Sequence, residues 1–121
     1  MSYNPLTYVY HKAPKPEPVI IYTGAADAID FTAANIFVLN RSGNVDSATL
    51  AAPTANIDDG RTIWILNGTT QANTITVAGG LGGSGGSYDL ITFTNVAAAN
   101  VTLRAYQGAW YLIGQYGATV S

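Results

Sequence analysis

The chain has 121 residues, 10% charged and 48% hydrophobic, with a formal net charge of -2 and no cysteine. The charged fraction lies far below the ~25% of an average soluble domain. A basic nucleic-acid-binding surface is thereby excluded, as are disulfides, thiolate metal sites and a cysteine nucleophile.

Residues 1–18 differ from the rest. Pro5, Pro14, Pro16 and Pro18 fall here, together with Lys12, Lys15 and the single histidine, His11. Proline fixes φ, lacks an N–H and biases its predecessor toward extended geometry, so 13–18 is expected to run as a stiff strap. A solvated tail would tolerate the prolines but has no use for Tyr3, Leu6, Tyr8, Val9 and Tyr10. Those residues, with Pro14, Pro16 and Pro18, are the expected contacts of an arm that leaves the domain and lies on a neighbouring surface. Met1 to Pro5 has neither a basic n-region nor an apolar h-region, so no signal peptide is expected. No stretch reaches the ~18 apolar residues of a membrane helix.

Residues 19–121 are expected to form one β-domain. Val19 to Tyr22 reads as a short strand followed by a turn at Thr23-Gly24, and Ala25 to Asp30 shows no clear period. Asn35 to Leu39 is a β segment closed by Asn40 to Asn44. In the strand Val45 to Leu50, Val45, Ser47 and Thr49 share one face and Asp46, Ala48 and Leu50 the other. Ala51 to Ile57 is a loop or one helical turn, and Asp58-Asp59-Gly60 a tight turn. Arg61 to Leu66 is a strand ended by Asn67-Gly68, a hairpin signal. Thr74 to Val77 alternates, with Ile75 and Val77 inward. The glycine-rich run 79–86 joins it to a strand over Tyr88 to Phe93. Val101 to Tyr106 and Ala109 to Ile113 close the domain, turning at Gln107-Gly108.

Short strands with turn signals every 8–12 residues or so, and no amphipathic helix, predict an all-β fold. The gaps are too short and too rich in Gly, Thr and Asn for βαβ units. An antiparallel β-sandwich or barrel, jelly-roll-like, with an extended N-terminal arm, is the expected architecture.

The chemistry of catalysis is missing. The only histidine lies in the arm, so a Ser-His-Asp triad is not expected, and one histidine cannot build a zinc site. Asp58 and Asp59 sit at a turn before glycine, where capping is the expected role. Asp27 and Asp30 suit a turn cap or a calcium contact, although the EF-hand register is absent. The glycine run lacks the lysine of a P-loop and the strand–helix setting of a dinucleotide fingerprint. The sequence therefore assigns no catalytic, metal or cofactor-binding residue.

Tyr88, Tyr106, Trp110 and Tyr111 are the candidate interface or ligand aromatics, since rings dominate subunit interfaces and also serve sugar sites. Trp110 and Tyr111 are neighbours in a strand, so one is expected to fill the core and the other to face outward or into a partner. Scarce charge on an apolar chain favours burial of subunit faces, with self-association expected.

The stretch Ala48 to Ile113 resembles a module of bacteriophage virion proteins, the β-rich pieces of capsid-decoration or head-fibre, tail-fibre and tailspike proteins. The resembling elements, in order, are Ala48 to Pro53, Asp59 to Asn67, Ala72 to Val77, Val101 to Leu103 and Gly108 to Ile113. Two alanines separate Leu50 from Pro53, and Leu66 stands where that pattern often has a lysine. The resemblance implies a non-enzymatic, homotrimeric virion part located at the capsid surface or tail and assembled in the host cytoplasm. Its partners would be other copies of itself and the major capsid protein or another virion protein, with no nucleic acid or membrane. The small β-domain with an arm, lacking any shaft repeat, suits a capsid decoration (cement) protein. A small tail-fibre or baseplate/adaptor component, or a carbohydrate-binding module using exposed aromatics, is the alternative.

Overall fold

Short segments of the chain extend, most of them with apolar residues at every second position. In the computed structural model, which describes residues 16–121, these segments become β1 (Val19–Tyr22), β2 (Ala28–Ile29), β3 (Ile36–Leu39), β4 (Ser47–Leu50), β5 (Thr62–Asn67), β6 (Thr74–Val77), β7 (Gly85–Tyr88), β8 (Leu90–Phe93), β9 (Asn100–Tyr106), β10 (Ala109–Tyr116) and β11 (Ala118–Val120). The helical content of these residues is one short 3-10 turn, Leu81–Gly83.

Ten strands make two five-stranded sheets, one in the order β1-β3-β5-β9-β10 and the other β11-β8-β6-β4-β2. The first six strands alternate between the sheets. The connection from each strand to its neighbour therefore runs through a strand of the opposite sheet, which makes the neighbours parallel. β1, β3 and β5 pair in parallel, as do β2, β4 and β6. From β6 onward each new pairing is antiparallel: β6 with β8, β5 with β9, β9 with β10, and β8 with β11.

The all-β expectation holds, but the expected antiparallel, jelly-roll-like order is corrected to two mixed sheets. A crossover needs no helix when the opposite sheet supplies the return strand. The same topology corrects the hairpin expected at Asn67-Gly68. β5 and β6 lie in different sheets, so Asn67 ends a strand that crosses over rather than one that folds back. The patternless stretch 25–30 contains β2, too short to show a period; of the strand expected over 88–93, Leu90 to Phe93 form β8, while Tyr88 ends β7, which begins inside the glycine run expected as a loop.

One core fills the space between the sheets. Phe37, Leu39, Ile63, Ile65, Val101, Leu103 and Trp110 enter it from the first sheet, and Ala48, Leu50, Ile75, Val77, Ile91 and Phe93 from the second, each essentially fully buried. Phe31 meets Trp110 edge-on, ring centroids 5.2 Å apart, and Tyr22 stacks on Phe37 at 6.1 Å. Trp110 could not be buried without a partner for its indole N–H, and Nε1 donates to the Ala51 carbonyl at 2.9 Å.

A polar seam closes one edge of that core. Asn67 and Asn73 are fully buried, and Asn73 Nδ2 donates to Asn67 Oδ1 at 2.6 Å. Asn67 Nδ2 donates to the carbonyls of Gln71 and Val96. The Asp46 N–H donates to Asn73 Oδ1 at 2.7 Å, and the Asp27 N–H to Asp46 Oδ1 at 3.2 Å. Each residue lies where the chain enters or leaves a strand. The seam therefore satisfies backbone groups that the ladders leave unpaired.

Candidate functional site

The β9–β10 hairpin places the exposed aromatics. Gln107 and Gly108 have φ of 48° and 82°, the positive-φ pair of a two-residue turn, and Tyr106 pairs with Ala109 across it. Tyr106 and Tyr111 project on the outer side, ring centroids 6.4 Å apart and inclined at 54°. Arg104, directly opposite both Thr62 and Tyr111 in the ladders, lies beside them. Together with Gly60, Ala105 and Ile113 they line an open groove of about 460 Å³. Two aromatic faces and a guanidinium can stack on a planar or sugar-like group and bond an acceptor.

A second groove, of about 480 Å³, runs past Glu17, Asn35, Ile36, Arg61, Thr62 and Trp64. Its basic group is already engaged. Arg61 pairs with Asp58 at 3.3 Å, donates to the Phe31 carbonyl at 3.2 Å, and lies 5.8 Å over the Phe31 ring. Asn35 Nδ2 donates to Glu17 Oε1 at 3.2 Å.

The two outer sheet faces differ in chemistry. On the first sheet the registers align Val19, Ile36, Trp64 and Thr102 in one row, and Ile21, Val38, Leu66, Asn100 and Tyr116 in the next. Trp64 Nε1 donates to Asn100 Oδ1 at 3.1 Å, laying the indole along the sheet. On the second sheet the rows are Ser47, Thr74, Thr92 and Thr119, then Ala28, Thr49, Thr76 and Leu90. One outer face is thus apolar along β1, β3 and most of β5 and polar along β9, and the other is largely hydroxylic. Arg104 is the only charged residue in any strand of either sheet.

The acids serve local structure. Asp58 Oδ2 accepts from the Thr54 N–H at 2.7 Å, and Asp30 Oδ1 from both the N–H and the hydroxyl of Thr32. The Thr32 hydroxyl, aided by backbone N–H groups, holds the Asp30 carboxyl below its ordinary value. Asp46 is the exception. It is fully buried, its Oδ2 has no hydrogen-bond partner among the described residues, and burial together with the neighbouring Asp27 carboxyl pushes its pKa up to about 6. Among the described residues no group of three or more His, Cys, Asp or Glu side chains is placed to hold a metal ion.

The expected aromatics separate into three settings. Tyr106 and Tyr111 come together at the groove, Tyr88 stands apart on β7 and is exposed, and Trp110 is wholly in the core, withdrawn from any ligand. Of the expected arm contacts, Pro16 and Pro18 are exposed. Tyr3, Leu6, Tyr8, Val9, Tyr10 and Pro14 lie outside the described residues. The sequence reading passed over Trp64 and Arg104. Trp64 alternates with Ile63 and Ile65, and that alternation alone marks it as outward-facing. Comparison with protein-family models and with curated protein sequences gives no match for this chain.

Proposed function

We propose that this protein is a non-enzymatic structural subunit of a bacteriophage virion, a capsid decoration protein that assembles as a homotrimer and attaches through its N-terminal arm. The supporting observation is the place where the arm joins the body. β1 is an edge strand of its sheet, and the exposed Pro16-Glu17-Pro18 leads into it. The described chain therefore begins at a rim of the domain, beside a strand edge that no described residue pairs with. Strand addition and aromatic anchoring are the modes that a segment carrying Tyr3, Leu6, Tyr8, Val9 and Tyr10 supports there. The resemblance of Ala48 to Ile113 to virion β-modules adds to this reading.

The test is binding to emptied capsids of the parent virus. The full chain should bind saturably, and the protein lacking residues 1–15 should lose at least tenfold in affinity. Unchanged binding by the shortened protein would remove the arm from the attachment. No binding by the full chain would remove the decoration role and leave the tail-fibre or baseplate reading.

One observation favours a second reading, a carbohydrate-binding module. Tyr106, Tyr111 and Arg104 border a single groove. A saturable glycan-array signal lost in both Tyr106→Ala and Tyr111→Ala would establish it.

A further inference from the structure

The first sheet presents to solvent a surface that an isolated domain has no reason to build. Six side chains on three adjacent parallel strands, Val19, Ile21, Ile36, Val38, Trp64 and Leu66, share its outer side, aligned row by row by the registers. Val19 is 48%, Ile21 59% and Trp64 38% exposed, while Ile36, Val38 and Leu66 between them are half-buried. The inner residues of the same strands, Phe37, Leu39, Ile63 and Ile65, already fill the core. The opposite sheet is a control within the same molecule. Its strands are equally poor in charge, yet beside Ala28 and Leu90 its outer positions are Ser47, Thr49, Thr74, Thr76, Thr92 and Thr119. Threonine keeps a strand's β-propensity while satisfying water, so this fold tolerates a hydrated outer face and has one. The apolar face is a departure from that pattern.

Composition and area narrow what covers it. Five strands at about 4.8 Å spacing and about six residues each at about 3.3 Å give the whole outer face of the sheet an area on the order of 500 Å² in projection, of which β1, β3 and β5 supply about half. Side-chain relief brings its accessible area toward the roughly 800 Å² per partner of a standard interface. The part on β1, β3 and β5 is free of charge and carries a tryptophan and branched aliphatics, the composition of an interface core. Arg104 and Tyr111 stand toward the rim, on β9 and β10. A neutral patch has no sign to be matched by a different, charged partner and is complementary to itself. Where copies meet on a symmetry axis the same residues face one another, and a neutral patch does not repel its own copy.

We infer that the outer face of β1, β3 and β5, centred on Ile21, Ile36 and Trp64, is the surface on which copies of this chain assemble with one another. This rests on the self-assembling part of the function proposed above and names the surface that performs it. The Thr-rich face of the second sheet then points to solvent, and the β1 edge, where residues 1–15 join, lies at the rim of the contact.

The experiment is sedimentation of the full-length protein at about 100 μM alongside two variants, with circular dichroism and thermal melts confirming that each is folded. The wild type should sediment as a closed multiple of 12.6 kDa. Ile21→Lys combined with Trp64→Lys should reduce it to monomer, while Thr76→Lys on the opposite face should leave the multiple intact. A double variant that keeps the wild-type mass, or a Thr76→Lys protein that loses it, overturns the assignment. So does a wild type that is monomeric at this concentration, in which case residues 1–15 of the same chain become the candidate cover. A measurement without substitutions guards against misfolding. The chain has two tryptophans, and Trp110 is buried in the core. The acrylamide-quenchable fraction of the emission should therefore rise on dilution as Trp64 is uncovered, and a fraction independent of concentration contradicts the inference. An assembly formed through this face that nevertheless fails to bind emptied capsids leaves the inference standing and removes the decoration role alone.

Discussion

The carboxylate of Asp59 receives two hydrogen bonds from Gln107, 48 residues further along the chain: the backbone N–H reaches Oδ1 at 2.7 Å and the side-chain amide reaches Oδ2 at 2.6 Å. Gln107 is one of the few non-glycine residues with positive φ, at 48°. A strained residue persists when its surroundings over-determine it, and here the turn before β5 fastens the turn that ends β9. Because β9 and β10 carry Tyr106 and Tyr111, this pairing also orients the aromatic groove.

Asp59→Ala should destabilise the protein by about 1–2 kcal/mol, the value of a charge-assisted pair of hydrogen bonds at a partly exposed site. Gln107→Gly should recover part of the loss, since glycine takes positive φ without strain. Urea denaturation of the two single variants and the double variant checks this, and the two effects should not add.

Asp46 sets the dependence of stability on pH. The folded carboxyl keeps its proton to about pH 6, against an ordinary value of 3.8, because burial and Asp27 disfavour its charge more than Arg41 favours it. Between those values the folded state binds more protons than the unfolded chain. Stability should therefore fall as pH rises from about 4 to about 6 and level off above. Asp46→Asn keeps an oxygen to accept the Asp27 N–H and removes the charge. It should raise stability at pH 7.5 by about 1–2 kcal/mol and flatten the slope between pH 4 and 6. Urea midpoints at pH 4.5, 6 and 7.5 measure both, and an unchanged slope would sink the assignment to Asp46.

Trp110 and Tyr111 are sequence neighbours with different duties. Trp110→Ala should cost about 3–5 kcal/mol, because it opens a cavity against Phe31 and orphans the Ala51 carbonyl. Tyr111→Ala should cost about 1 kcal/mol or less, since that ring is 40% exposed. Thermal melts of the two variants should differ by well over 10 °C. A glycan-binding test must therefore be made at Tyr106 and Tyr111 rather than at Trp110.

Gly117 is where the chain leaves β10 for β11 in the other sheet. Its φ is 63°, and a Cβ there would lie 3.1 Å from both Ala99 Cβ and Thr94 Oγ1. Gly43, at φ 74°, has nothing within 4 Å of the same position. Gly43→Ala should cost about 1 kcal/mol from strain alone, and Gly117→Ala distinctly more. Equal losses in equilibrium denaturation would show that the crossing relaxes freely.

The sequence by itself determined which segments extend and which side of most of them is apolar, because the period of two is a local property of the chain. Ile75 and Val77 face inward as their alternation requires, and Gln107-Gly108 turns between the strands it was expected to join. Local chemistry also placed Asp58 and Asp59 at a turn before Gly60. Tertiary structure decided which strands became neighbours. The hairpin signal at Asn67-Gly68 lost because the side chain of Asn67 is buried in a seam with Asn73, Gln71 and Val96, and that seam exists only when β5 and β6 lie in different sheets. Parallel pairing follows from that crossover and has no local signature. The candidate site divided in the same way. Tyr106, Trp110 and Tyr111 were visible as aromatics, but only the registers separated the core ring from the exposed pair, set Arg104 beside it, and gathered Val19, Ile21, Ile36, Val38, Trp64 and Leu66 onto one face. Each strand contributes two of these side chains, which is ordinary. Their alignment across three strands makes a surface, and alignment is a property of pairing, not of any one segment.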